Sequence, residues 1–245
     1  MKKIKLIINN LLSILGFKLI KISIHNDPKL QIALFLKNKN IEVVFDIGAN
    51  IGQFGKDLRK YGYQNNIVSF EPLPSAHDQL MKISEKDIGW QIHSRTAIGD
   101  ADGTVFVNES LNSFSSSILE ITTEHTDIEV SSKYINQISS PMCKFDSIYR
   151  YYLQSPSQPF FLKIDVQGFE DKVLNGASEA INQAVGILVE LSTVELYAGQ
   201  KLFNEMIEYF QDHKYEIWSI NQGFANEITG CVLQYDVIFV RKTKP

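Results

Sequence analysis

The chain has 245 residues, with 24 Lys+Arg against 28 Asp+Glu, 44% hydrophobic residues and two cysteines. That length supports a buried core without a disulfide or metal staple, and Cys143 and Cys231, alone and 88 residues apart, make no metal-ligand spacing. A net charge of −4 argues against a general nucleic-acid binder, which carries a basic balance or a basic face.

The charge is uneven along the chain. Residues 1–26 carry five lysines (Lys2, Lys3, Lys5, Lys18, Lys21) and no acid, which leaves 19 basic and 28 acidic residues beyond them. The uncharged run from Leu6 to Phe17 is too short to span a bilayer, and lysines rather than a small-residue cleavage site follow it. Ile4, Ile7, Ile8, Leu11, Leu12 and Leu15 recur at spacings of three and four, the pattern of one helix face. Two readings stand: a helix packed on the domain, or an interfacial helix giving residues 1–26 a peripheral contact with an anionic membrane. The expected location is cytoplasmic, with that membrane contact under the second reading. Residues 1–40 read as a helical appendage and residues 41–245 as the main domain.

Asp27-Pro28 is a helix start, an N-cap acid followed by proline at the first helical position, and predicts a helix to about Lys39 with Leu30, Ala33, Leu34 and Leu36 inward. Ile41 to Asp46 is an apolar strand, followed by the turn GANIG and a helix over 53–61. The unit repeats with a strand at 67–71, prolines at 72 and 74, and a helix over 75–86. Strands follow at 90–94 and, after the Asp102-Gly103 turn, at 103–108; the Ser/Thr-rich stretch 110–140 reads as an excursion over the sheet edge or site mouth. Alternation resumes with a strand at 160–165, a helix at 168–174 and a strand at 185–191. A helix over 202–213 with the stripe Phe203, Met206, Ile207 and Phe210 follows, then strands at 215–220 and 231–240. Such alternation predicts an α/β fold with a mostly parallel sheet and helices on both faces.

In such a sheet, ligands bind beyond the carboxyl ends of the strands near the switch point. Asp46, Gly48 and Gly52 stand there, with glycines that allow positive φ and close backbone approach, ahead of a helix N-terminus. Asn50 occupies the place of the second glycine of a G-x-G-x-x-G dinucleotide fingerprint, which weakens a nucleotide-dependent oxidoreductase reading. Glu71, ending the next strand, suits the two hydroxyls of a ribose. Asp165 and Glu190 end two further strands, where paired carboxylates serve as a general base or hold a hard cation such as Mg²⁺. Glu190 sits in an otherwise apolar strand, where an idle charge would be costly. His93 and His125 are alternative bases, Ser113, Ser115, Ser116 and Ser117 are hydrogen-bonding candidates for a polyhydroxylated acceptor, and Phe114 and Tyr134 are candidate stacking surfaces.

From about Val43 to Arg241 the sequence resembles the FkbM family of S-adenosylmethionine (SAM)-dependent methyltransferases. The segments that carry the resemblance are VVFDIGANIGQF, VSFEPLPSAHDQL, TAIGDADG, NSFSSSIL, FLKIDVQGFEDKVLNGA, ILVELSTVELYAGQ and LQYDVIFVR. The resemblance implies a Rossmann-like seven-strand methyltransferase sheet whose last strand, Gln234 to Val240, is antiparallel. It implies methyl transfer from SAM to a hydroxyl oxygen, often on a sugar, a glycan or a polyketide; a saccharide or glycan hydroxyl, as in polysaccharide biosynthesis, is the acceptor expected here. It further implies that Asp46, Gly48, Asn50 and Gly52 line the methionine and ribose side, that Glu71 binds the ribose and that Ala97 and Ile98 flank the adenine. Asp165 and Gln167 would face the reacting centre.

A non-catalytic SAM-fold binding protein is the alternative from another class. A nucleic-acid base methyltransferase is disfavoured because no Asn/Asp-Pro-Pro-Tyr/Phe segment occurs and residues 27–245 are acidic.

Overall fold

A computed structural model describes residues 2–242. Its helices are α1 (Lys2–Ser13), α2 (Pro28–Asn38), α3 (Gln53–Lys60), α4 (Pro74–Ser84), α5 (Thr123–Ile128), α6 (Glu170–Asn175), α7 (Ser178–Ile181) and α8 (Phe203–Asp212). The strands are β1 (Val43–Ile47), β2 (Asn66–Phe70), β3 (Trp90–Ile92), β4 (Ala97–Gly99), β5 (Gly103–Ser110) and β6 (Tyr134–Lys144), followed by β7 (Phe160–Ile164), β8 (Gly186–Ser192), β9 (Tyr215–Gln222) and β10 (Gln234–Arg241).

Seven strands form one sheet in the order β3-β2-β1-β7-β8-β10-β9. β1 pairs in parallel with β2 and β7, and β7 with β8, whereas β10 is antiparallel to both its neighbours. The fold is therefore the expected Rossmann-like seven-strand sheet with an antiparallel last strand. Successive side chains of a strand point to opposite faces, and the two faces carry separate cores. Phe45, Phe70, Leu162, Val189 and Phe239 pack with Val173, Leu174 and Phe210 on one face. Val44, Phe161, Leu188 and Ile238 pack with Phe35, Leu36, Leu58 and Leu80 on the other.

Asp27 caps α2 by accepting from the N–H groups of Lys29 and Leu30. The buried stripe of α2 is Ile32, Phe35 and Leu36, shifted from the Leu30, Ala33, Leu34 and Leu36 face read from sequence. The shift lets Phe35 meet Phe161 and Trp218 over Gly186, where an added Cβ would lie 2.5 Å from the Phe35 ring. α2 is thus part of the core, while Leu6, Leu11, Ile14, Leu15, Phe17 and Ile22 stand exposed. No helix among the described residues is long and apolar enough to cross a membrane.

The stretch 110–140 is more ordered than its composition suggests. β6 pairs antiparallel with β5 and parallel with β4 in a second, three-stranded sheet. β6 contains Pro141 and alternates poorly between buried and exposed positions, which hid it from periodicity.

Candidate active site

Parallel register puts Asp46 of β1 directly between Ser69 of β2 and Lys163 of β7. Glu190 of β8 faces Asp236 of β10 in the same way. By parity all five side chains lie on the α2/α3 face of the sheet, and Asp46, Lys163 and Glu190 fall at the carboxyl ends of their strands. The sheet thereby lines up one cation with three carboxylates where a Rossmann-like fold binds its ligand.

Lys163 is the hub. Its ammonium lies 3.1 Å from Asp46 and 3.5 Å from Asp165, and donates to the Gly48 carbonyl at 2.8 Å. Burial pulls its pKa down, but Asp46 and Asp165 more than offset this and hold the ammonium above its ordinary range. Removing one partner of such a buried pair leaves an uncompensated charge. Asp46 is fully buried, accepts from the Ser69 hydroxyl at 3.4 Å and stands behind the site wall rather than on it.

Gly48 has φ +74, and a Cβ there would lie 1.8 Å from the Asp165 carbonyl oxygen. The β1 turn and the end of β7 are in backbone contact, and only glycine fits. Gly52, expected to line a cofactor, instead begins α3 with φ +81, and a Cβ on it would meet Leu80 and Trp90. Its role is to let α3 settle on the Trp90 ring. Asn50, at φ 46, donates its N–H to Glu71 and its amide to the Ser113 carbonyl, tying the turn to the serine loop. Glu71 is buried; its two oxygens accept from the N–H groups of Asn50 and Leu73, each at 2.8 Å. Burial pushes its carboxyl up to about 7 although those two donors oppose the shift. Each carboxylate oxygen retains a further lone pair.

Asp165 is 39% exposed at its side chain, the most open of these acids. Gln167, at φ 55, donates its amide to Asp165 Oδ1 at 2.7 Å and to Glu190 Oε2 at 2.9 Å, and its own oxygen accepts from the Tyr197 hydroxyl at 2.7 Å. Left-handed backbone at a non-glycine residue persists only where its surroundings over-determine it. Here Tyr197, Ser117 donating to the Gln167 carbonyl, and Glu170 accepting from the N–H groups of Val166 and Gly168 do so. Gln234 donates to Glu190 at 2.6 Å. Burial, then Asp165, Asp236 and Glu170, hold the Glu190 carboxyl well above the usual range, and burial with Asp165 pushes Asp236 up to about 6.

These groups border a cavity of about 550 Å³, within the roughly 300–1,000 Å³ common for small-molecule and cofactor sites. Gly48, Asn50, Glu71, Ala97, Ile98, Asp165, Gln167 and Glu190 all line it, so most of the residues singled out from sequence meet in one place. Apolar Phe70, Ala97 and Ile98 near Glu71 suit a flat base beside a ribose, and the acidic end suits a polar acceptor. The donor set and the shape fit SAM.

Ser113, Phe114, Ser116 and Ser117 also reach the cavity. Much of the serine hydrogen bonding is internal, with Ser116 accepting from the Ser110 N–H and Ser115 from the Asn112 amide. Tyr134 donates to the Leu119 carbonyl away from the cavity. Neither histidine reaches the cavity. His93 pairs with the Tyr152 hydroxyl, and buried His125 packs edge-on against Tyr197 from behind. A divalent cation finds no support at Asp165 and Glu190, since the Gln167 amide bridges them. Among the described residues no group of three or more His, Cys, Asp or Glu is placed to hold a metal.

Sequence reasoning passed over Lys163, Tyr197, Gln234 and Asp236. A signal existed for Lys163, a charge inside the apolar strand Phe160–Ile164, which is the same anomaly that drew notice to Glu190.

Residues 46–217 match the family model of the methyltransferase FkbM domain. A hexuronic acid methyltransferase from Haloferax volcanii, AglP, is 25% identical over 183 residues, covering 72% of this chain and 70% of that protein. Among solved structures, a putative methyltransferase from Thermobifida fusca superimposes with TM-score 0.51 at 9% identity, covering 88% of this chain and 79% of that one. Magnesium protoporphyrin IX methyltransferase from Synechocystis, solved with SAM bound, gives 0.47 at 9% identity and 97% of each chain. With its family model covering more than half the chain, the protein belongs to the FkbM-domain family of SAM-dependent methyltransferases.

Proposed function

We propose that the protein transfers the methyl group of SAM to a hydroxyl of a saccharide, with Asp165 as general base. The observation that carries this reading is Asp165 itself, whose side chain is 39% exposed and opens on the cavity beside the glycine turn, backed by the acid cluster. The similarity to a hexuronic acid methyltransferase supports a sugar acceptor.

Bound SAM supplies an electrophilic methyl group on a sulfonium. The protein must hold the acceptor oxygen in line with that methyl and take its proton, because an alcohol is a poor nucleophile while protonated. Asp165 would accept the hydroxyl proton as the oxygen–methyl bond forms and the sulfur–methyl bond breaks, the sulfur leaving as the neutral thioether of S-adenosylhomocysteine. Lys163 and Gln167 fix the Asp165 carboxylate from both sides, and Glu190, kept protonated to higher pH, orients Gln167. Gln167 is then a positioning residue, since its amide is fully engaged by protein groups. Glu71 would accept from the ribose hydroxyls, Gly48 and Asn50 would line the methionine side, and Ala97 and Ile98 would flank the adenine.

Incubating the protein with SAM and a panel of activated sugars, uronic acids and glycans, with S-adenosylhomocysteine and the methylated product quantified, tests the reading. Product carrying the methyl on oxygen is the expected result, and turnover of NAD with none of SAM would refute it. EDTA is expected to leave turnover at its level in Mg²⁺, because the acid pair already holds an amide; a rise on adding Mg²⁺ would reinstate the cation.

Glu71 predicts how SAM binding responds to pH. Its carboxyl titrates near 7 without ligand, and hydroxyl donors favour its charged form. Affinity for SAM should therefore rise with pH and level off above 7, falling up to about tenfold per unit below it. Calorimetric titration between pH 6 and 8 measures this, and Glu71→Gln should bind more weakly with a flat profile. A flat profile in the unaltered protein would free Glu71 of the role.

A further inference from the structure

Residues 2–24 form a unit that leaves most of its described large apolar side chains, from Leu6 to Ile24, in solvent. After α1, Gly16 at φ +77 reverses the chain, and Asn9 clamps the returning segment by accepting from the Leu19 N–H and donating to the Leu19 carbonyl. Asn26 closes the far end by accepting from the Ser23 N–H and donating to the Lys21 carbonyl. Local polar groups are thus paired within the unit, while Leu11 is 64% exposed, Ile14 81%, Leu15 70%, Phe17 66% and Ile22 62%. Contiguous exposure of this kind marks a surface that meets a partner.

Charge identifies the partner. Five lysines and no acid fall in residues 1–26, in a protein that is otherwise acidic, and Lys18 and Lys21 stand exposed among the apolar residues. Apolar residues interspersed with lysine in a segment too short to span are the composition of an element lying in the headgroup region of an anionic bilayer. Where the unit ends also matters, because Asn26, Asp27 and Lys29, immediately beyond it, line the catalytic cavity.

We propose that residues 2–24 seat the protein on an anionic lipid surface and thereby hold the cavity mouth against the membrane, so that the acceptor is a saccharide carried on a membrane lipid. The statement about the acceptor rests on the methyltransferase reading of the cavity; the lipid contact does not.

Sedimentation of the full chain with vesicles tests the contact. Strong binding is expected to phosphatidylcholine vesicles containing phosphatidylglycerol, with little to phosphatidylcholine alone and a decline as salt rises. Lys18→Gln with Lys21→Gln should weaken binding at least about tenfold, since each lysine near such a surface contributes several-fold. Leu11→Asp with Ile14→Asp should abolish it while leaving SAM affinity unchanged. Equal binding by all three proteins would overturn the proposal, as would a lipid-free dimer in light scattering that only Leu11→Asp with Ile14→Asp dissolves, which would give the surface to a second copy. If the vesicles bind but free and lipid-borne saccharides turn over equally, the acceptor assignment falls and the lipid surface stands. If neither acceptor is methylated, the reading of the cavity fails, and the vesicle data alone decide the contact.

Discussion

Asp165→Asn should bind SAM within a few-fold of the unaltered protein and lose at least about 100-fold in turnover, the usual scale of general-base catalysis. Asparagine keeps the size of the side chain and an oxygen able to accept from Gln167, so the neighbouring turn has no reason to move. What it lacks is a basic oxygen for the hydroxyl proton. Comparing turnover with SAM affinity separates this from general damage to the site, which would weaken both together. Raising pH offers a second readout, since an acceptor that ionises on its own needs the base less. The deficit of Asp165→Asn should therefore narrow in alkaline buffer. Full turnover by the variant at neutral pH would take Asp165 out of the chemistry.

Gly48→Ala should be still more damaging, because it strikes binding and catalysis at once. The substituted Cβ would enter the Asp165 carbonyl at 1.8 Å, and φ +74 already disfavours any side chain. Relief requires β1 and β7 to part at the tips that carry Asp46, Lys163 and Asp165. A displacement of about 1 Å can cost roughly 100-fold in rate even from outside the chemistry, and here the Lys163 contacts to Gly48 and Asp165 would be broken as well. Gly62→Ala is the matched control, with φ +93 and nothing within 4 Å of the added carbon. Both substitutions carry backbone strain of about 1–3 kcal/mol, so both should lower the melting temperature. Only Gly48→Ala should abolish SAM binding and turnover, and equal activity in the two variants would show that the close approach of the strands does not matter to the site.

Strong periodic signals made the main sheet legible. β1, β2, β7, β8 and β10 are apolar runs bounded by turns, and each lies within a few residues of its place as read from sequence. β6 was not legible, because most of its side chains stay exposed or half-exposed and polar, and because Pro141 falls just before the pairing with β4 begins at Met142, where a proline leaves no ladder bond unmade. The site shows the same division. Asp165, Glu190 and Glu71 stood out as acids at strand ends, but what holds them depends on which strands become neighbours. Lys163 opposite Asp46, and Asp236 opposite Glu190, are matters of register between segments more than 40 residues apart. Tyr197 was hidden for a related reason, since its hydroxyl reaches Gln167 from a loop beyond β8 that carries no periodic signal.

The antiparallel placement of β10 bears on how the protein is made. β10 is synthesised after both β8 and β9, yet it lies between them, and β9 has no other neighbour in the sheet. Until β10 has left the ribosome, β9 cannot join the sheet and β8 presents a bare apolar edge, the kind of edge to which foreign strands add. Glu190 likewise waits for Gln234 and Asp236, so the acid cluster is completed only once β10 has emerged. A nascent chain stalled short of β10 would carry the glycine turn and Asp165 but neither a finished site nor a protected sheet.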